Sequence, residues 1–231
     1  MSQGTLFELK QVEKHFVKGK ESIEIFNDLN MTIDKGDFLA IMGPSGSGKT
    51  TLLNMLGGVD QPTGGEIWFD GARMDSLSEG KLTRWRAQNI GFIFQFYNLM
   101  PMLNAARNVE LPLLLTKLSR AQRKRSVEAA LTLVGLSDRA KHMTNEMSGG
   151  QQQRVAIARA IVSDPKLILC DEPTGDLDRE TADEILEMLQ LLNREHGKTI
   201  VMVTHDPAAA AYAKRTVQLD KGKFVHREVA A

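Results

Sequence analysis

Apolar residues along this chain gather into short runs and periodic faces that alternate between two kinds of element. Leu6 to Val12, Ile23 to Phe26 and Leu29 to Ile33 read as short strands, the last with Leu29, Met31 and Ile33 at every second position, and predict a small antiparallel sheet. The continuous apolar run Phe38 to Met42 predicts a buried strand that enters a glycine-rich loop, and Thr50 to Leu56 reads as the helix leaving it. Another strand, Ile90 to Phe94, ends at Gln95, after which the pattern turns helical through about Val162. In that stretch Val127, Ala130, Leu131 and Val134 recur at i, i+3, i+4 and i+7, and Ser119 and Gln122 are spaced as a capping box. Strand Leu167 to Cys170, a helix with Ile185, Met188, Leu189 and Leu192 on one face, and strand Ile200 to Val203 follow. Val217 to Leu219, a turn at Lys221 to Lys223, and Phe224-Val225 complete the series. Strands alternating with helices imply an α/β fold around a mostly parallel sheet, with a helical insertion.

Composition narrows the partners. The 231 residues carry 29 basic and 29 acidic side chains, so no global field exists to hold a polyanion, and nucleic acid is not expected. The single cysteine, Cys170, sits in an apolar run, which reads as a core position and fits a reducing compartment. The N-terminus shows no basic or apolar leader, and no run approaches the ~18 apolar residues a spanning helix needs. A membrane role is therefore expected to come through a partner.

Gly43-Pro44-Ser45-Gly46-Ser47-Gly48-Lys49-Thr50 fits G-x-x-x-x-G-K-[ST] at every fixed position, between a strand and a helix. Its glycines let backbone N–H groups approach phosphates, and the helix adds its N-terminal dipole. Lys49 is placed to reach the terminal phosphates and the Thr50 hydroxyl to ligate Mg²⁺, with Thr51 beside it in the phosphate-binding set. Asp171 ends a buried strand where a carboxylate can hold the metal, and Glu172, free of it, can polarise an attacking water. Gln95 can orient the water or complete the metal shell, and His205 can donate to the γ-phosphate.

Met147-Ser148-Gly149-Gly150-Gln151 is a second glycine-rich run about a hundred residues downstream, and one nucleotide does not need both. Together these residues resemble the nucleotide-binding domains of ATP-binding cassette (ABC) proteins over essentially the whole chain. The downstream run is similar to the family signature L-S-G-G-Q, with Met for Leu, ahead of a Walker-B-like Leu167 to Asp171. The resemblance implies a P-loop NTPase fold with a RecA-like core, an N-terminal antiparallel β subdomain and an inserted helical subdomain. A single domain over 1-231 is expected, with about 1-95 and 163-231 forming core and β subdomain and 96-162 the helical signature subdomain.

By that resemblance Gln95 is the Q-loop glutamine, Glu172 the catalytic base, and His205 the switch histidine, acting with Lys49. Gly175 to Asp178 is the D-loop, whose Asp178 reaches the nucleotide, and Phe16 stacks under adenine. Thr50, Gln95 and Asp171 form the expected Mg²⁺ set. The signature lies opposite the P-loop of a second subunit, so Ser148, Gly149, Gly150 and Gln151 contact the partner's ATP in a homodimer. Gly91 to Pro101, Asn108 to Pro112 and Glu172 to Asp178 look like the branch containing lipoprotein-release, macrolide-efflux and cell-division ATPases. An integral membrane permease partner and a place on the cytoplasmic face of the cell membrane follow as expectations. A structural switch in cell division is an alternative with the same ATP chemistry; a soluble non-transport ABC ATPase lacks its expected insertions here.

Arg107 stands where that branch usually has glutamate, which suggests an altered partner contact. The apolar cluster Phe96, Tyr97, Leu99, Met100, Met102 and Leu103 is a candidate docking groove, and the basic run Lys117 to Arg125 reads as a solvated helix face.

Overall fold

The computed structural model describes residues 4–19 and 21–225, so the N-terminal start considered in the sequence, residues 1–3, lies outside the described residues. Two long strands, β1 (Thr5–Lys18) and β2 (Glu21–Asp34), open the chain as an antiparallel pair. Leu6, Phe7, Leu9, Phe26, Leu29 and Ile33 are buried in this sheet, and their spacing departs from strict alternation where the β1–β2 pairing shifts register. Then come β3 (Phe38–Met42), α1 (Lys49–Leu56), β4 (Gly64–Phe69), β5 (Ala72–Arg73), α2 (Glu79–Asn89) and β6 (Ile90–Phe94). The helical stretch holds α3 (Ala105–Glu110), α4 (Arg120–Leu133) and α5 (Gly149–Ile161). The chain continues with β7 (Leu167–Asp171), α6 (Arg179–Arg194), β8 (Thr199–Thr204), α7 (Pro207–Ala210), β9 (Arg215–Asp220) and β10 (Lys223–Val225).

The strands form a four-stranded sheet ordered β2-β1-β4-β5 and a six-stranded sheet ordered β10-β9-β3-β8-β7-β6. In the second, β6, β7, β8, β3 and β9 run parallel, and only the β9–β10 hairpin is antiparallel. β3, β7 and β8 are buried almost throughout, which is why they read as unbroken apolar runs. The fold is thus a P-loop-type α/β core with an antiparallel sheet beside it. Cys170 is fully buried, and that burial pushes its thiol far up.

Two differences from the sequence reading are informative. β4, β5 and α2 went unrecognised: β4 begins Gly64-Gly65-Glu66, and α2 buries only Leu82. The stretch after Gln95 is also not continuously helical, since residues 96–104 form a loop before α3. Elsewhere the local signals hold, including the Ser119–Gln122 capping box that starts α4.

Candidate functional site

Parallel strands leave their C-terminal ends along one edge, and the register shows what that edge carries. Met42 pairs with Thr204, Val203 with Asp171, and Asp171 with Phe94. The next residues along the chain, Gly43, His205, Glu172 and Gln95, therefore leave four strands side by side.

A cavity of about 600 Å³ lies on this edge, lined by Ser45, Gly46, Gly48, Lys49, Thr50, Thr51, Glu172, His205 and Ile25. Ile25 was missed, because its place in β2 gave no sign that this sheet turns an edge toward the glycine loop. Gly48 holds the loop at φ 101, a left-handed conformation in which an L side chain is strained. It caps α1 without any side-chain acceptor, so the N–H groups of the first turn stay free for an anion. The Lys49 ammonium donates to the carbonyls of Gly43 and Pro44 at 2.7 and 2.9 Å. Ser47 is buried and is not among the residues lining the cavity.

Thr50 Oγ1 lies 3.5 Å from Asp171 Oδ2, which joins the loop to the end of β7. Burial and the adjacent Glu172 charge push the Asp171 carboxyl up, while the Thr50 hydroxyl and Lys49 pull it back. Glu172 Oε2 sits 2.8 Å from His205 Nδ1. Glu172 itself has φ 49, a strained value for a non-glycine residue, held by its N–H bond to the Val203 carbonyl at 3.0 Å.

Phe16 does not line the cavity. It is 43% exposed on β1, and the ammonium of buried Lys14 sits 4.6 Å from its ring centroid. Lys14 is anchored by Asp60 Oδ1 at 2.6 Å and the Gln61 carbonyl at 2.8 Å. Gln95 is half-buried at the strand edge, also outside the lining. Asp178 caps α6, accepting from the Thr181 N–H at 3.0 Å and the Thr181 hydroxyl at 2.8 Å, and these bonds hold its carboxyl below the usual range.

Residues 148–151 form the start of α5, Ser148 exposed and 149–151 half-buried, and do not line this cavity either. Ser148 Oγ accepts from Gln151 N–H, and Gln151 Oε1 accepts from Ser148 N–H, at 3.3 and 3.1 Å. That capping box occupies the Gln151 side chain but leaves the Ser148 hydroxyl proton and the Gly149 and Gly150 N–H groups unused. Tyr97 donates from its hydroxyl to Asp176 Oδ2 at 3.2 Å, tying the loop after Gln95 to the segment before Asp178.

A separate groove of about 380 Å³ is walled by Ile90, Phe92, Phe94, Pro112 and Leu115, with Arg86 and Arg159 also lining it. Nearby in sequence, Phe96, Met100 and Met102 are exposed, whereas Leu99 packs against the core, so the apolar cluster divides between surface and interior. Arg107 is exposed and pairs with Glu110 at 3.0 Å, as does Arg123.

A family model described as "ABC transporter" matches residues 26–175. The chain is 46% identical over 220 residues, 95% of each protein, to the uncharacterized ABC transporter ATP-binding protein YknY of Bacillus subtilis. It is 44% identical over 218 residues to the macrolide export ATP-binding/permease protein MacB 2 of Aeromonas hydrophila, covering 94% of this chain but 34% of that protein. In structure it matches the dimeric post-hydrolysis state of the ATP-binding cassette MJ0796 bound to ADP and Pi, from Methanocaldococcus jannaschii. The TM-score is 0.88 at 43% identity, over 97% of this chain and 98% of that one. With a complete P-loop and two strand-end carboxylates on one sheet edge, and relatives matched along nearly its whole length, the chain belongs to the ABC transporter family, as an ATP-binding and ATP-hydrolysing subunit.

Proposed function

We propose that two copies of this chain close head to tail on two ATP molecules, each P-loop facing the partner's signature, and that this motion drives an integral membrane partner. The observation that carries the reading is a second helix start with unused donors. The Ser148 hydroxyl and the Gly149 and Gly150 N–H groups suit a phosphate, yet none of residues 148–151 lines the chain's own cavity. A head-to-tail pair uses both, and the MJ0796 structures, described as dimeric, support pairing.

Within each site, Lys49 leaves the loop carbonyls for the terminal phosphates and the free N–H groups of α1 surround them. Phe16 stacks on adenine, and the Gly175 to Asp178 segment meets the nucleotide across the interface. Glu172 accepts a proton from the attacking water, and His205, beside it, contacts the γ-phosphate. Mg²⁺ fits the donor set: the Thr50 hydroxyl lies 3.5 Å from the Asp171 carboxylate, and this cation commonly uses one or two carboxylates with phosphate and water oxygens. Thr50, Asp171 and Gln95 would hold it, and it would neutralise charge developing on the phosphates. Loss of the γ-phosphate removes the signature's contact and loosens the pair.

The groove walled by Phe92, Phe94 and Leu115 is the proposed seat of the membrane partner. No helix among the described residues is long and apolar enough to cross a membrane, so membrane contact is assigned to that partner, on the cytoplasmic face. The macrolide export relatives, named as ATP-binding and permease protein in one chain, support a permease partner and an export role. Arg107, exposed on α3 and paired with Glu110, contributes an altered charge to the partner contact.

Lys49→Ala and Ser148→Arg test the division of labour. Isolated Lys49→Ala monomers lose ATP binding, whereas Ser148→Arg monomers bind ATP and fail to dimerise. Equal loss of binding in both variants contradicts the head-to-tail reading.

A further inference from the structure

Gln153 is fully buried one turn into α5, and none of the motif roles above uses it. Its amide nitrogen donates to two backbone carbonyls, those of Phe94 at 3.2 Å and Pro173 at 2.5 Å. Phe94 precedes Gln95, and Pro173 follows Glu172. Two carbonyls facing one amide require its NH₂ end, because only that end supplies two donors without a charge. The other end, Oε1, is buried without a partner, so the tie is kept despite an unsatisfied acceptor.

The same helix grips this region at a second point. Arg159 on α5 donates to the Tyr97 and Asn98 carbonyls at 2.8 and 2.5 Å, so α5 brackets Gln95 from both sides. α5 also lies close against β6: a side chain on Gly91 would place its Cβ 2.3 Å from the Ala160 carbonyl oxygen. The segments tied in this way include left-handed backbone, with Tyr97, Asn98 and Glu172 at φ 59, 49 and 49. Left-handed backbone at three non-glycine residues persists only where neighbouring bonds hold it.

We propose that Gln153 is a positioning residue that ties the signature helix to Gln95 and Glu172, so that engagement of α5 by the partner's ATP is passed to the chain's own hydrolytic residues. This rests on the roles proposed above for Gln95, Glu172 and the signature. It adds a route by which one composite site informs the other: a shift of α5 moves both strand ends through one amide.

The test uses the full-length chain with Gln153→Met, which keeps length and fills the space, and Gln153→Glu, which keeps the outline. ATPase kinetics, monomer ATP binding, ATP-driven dimerisation in a Glu172→Gln background and thermal unfolding are measured for each. Gln153→Met is expected to lose about tenfold or more in kcat, with KM and dimerisation within about twofold of wild type. Gln153→Glu offers a donor only when protonated, so its kcat relative to wild type falls as the pH rises. Unchanged kcat in a folded Gln153→Met protein overturns the proposal, as does a loss of kcat matched by loss of dimerisation. If Gln153→Met does not fold, Gln153→Glu decides, and a pH profile parallel to wild type overturns the proposal. Glu172→Gln alone separates the premises: if it hydrolyses ATP at the wild-type rate, the catalytic assignment fails whatever Gln153 does.

Discussion

Replacing Phe16 by leucine removes the ring that Lys14 backs and keeps an apolar residue on β1. Base–aromatic stacking is worth about 1–3 kcal/mol. Because Phe16 is 43% exposed, the lower part of that range applies, about 1–2 kcal/mol, or roughly five- to 30-fold in ATP affinity. Lys14 keeps Asp60 and the Gln61 carbonyl, so only the exposed cation–π contact is lost from the fold, about 0.5–1 kcal/mol. Isothermal titration of Phe16→Leu with ATP and with tripolyphosphate separates base from phosphate. ATP is expected to bind five- to 30-fold more weakly by this reckoning, on the order of the stacking energy, with tripolyphosphate unchanged. Unchanged ATP affinity, or an equal loss for both ligands, refutes the stacking role.

Gly91→Ala forces a Cβ to within 2.3 Å of the Ala160 carbonyl and pushes α5 off β6. The expected cost is about 1–3 kcal/mol, read as a fall in Tm of roughly 2–12 °C. Asp70, held at about 2 by hydrogen bonds from Lys166 and then Lys35, gives a pH signature. Its carboxyl is depressed in the folded state, so its stabilisation is present above the ordinary carboxylate range and is lost as pH falls toward 2. Both pairs are open to solvent, so Asp70→Asn should cost about 1 kcal/mol or less at pH 6, with the difference from wild type shrinking toward pH 3 in urea denaturation.

The phosphate half of the site was legible because the P-loop chemistry is local. Its glycines, Lys49 and Thr50 lie within eight consecutive residues, and the apolar runs before and after them are unambiguous. Asp171 and Glu172 were legible for a related reason, as acids ending a buried strand. Ile25 and Lys14 were not, since their relation to the site depends on how β1 and β2 approach the core. Gln153 was hidden differently: a glutamine in a polar triplet reads as a wet helix start, and only the helix phase turns it inward. The left-handed backbone at Glu172 has no sequence signal, because glycine, its usual marker, is absent there. α2 was missed because a helix with one buried residue has no apolar periodicity to detect.

Sedimentation of Glu172→Gln at saturating Mg-ATP tests the head-to-tail pair most directly. This variant keeps the P-loop and the signature and loses the proposed base, so it should shift from monomer to dimer with ATP while turnover falls by about 100-fold or more. Adding Ser148→Arg in the same chain should return it to monomer with ATP still bound. A Glu172→Gln protein that stays monomeric with ATP bound, or one whose dimer survives Ser148→Arg, contradicts closure through the signature.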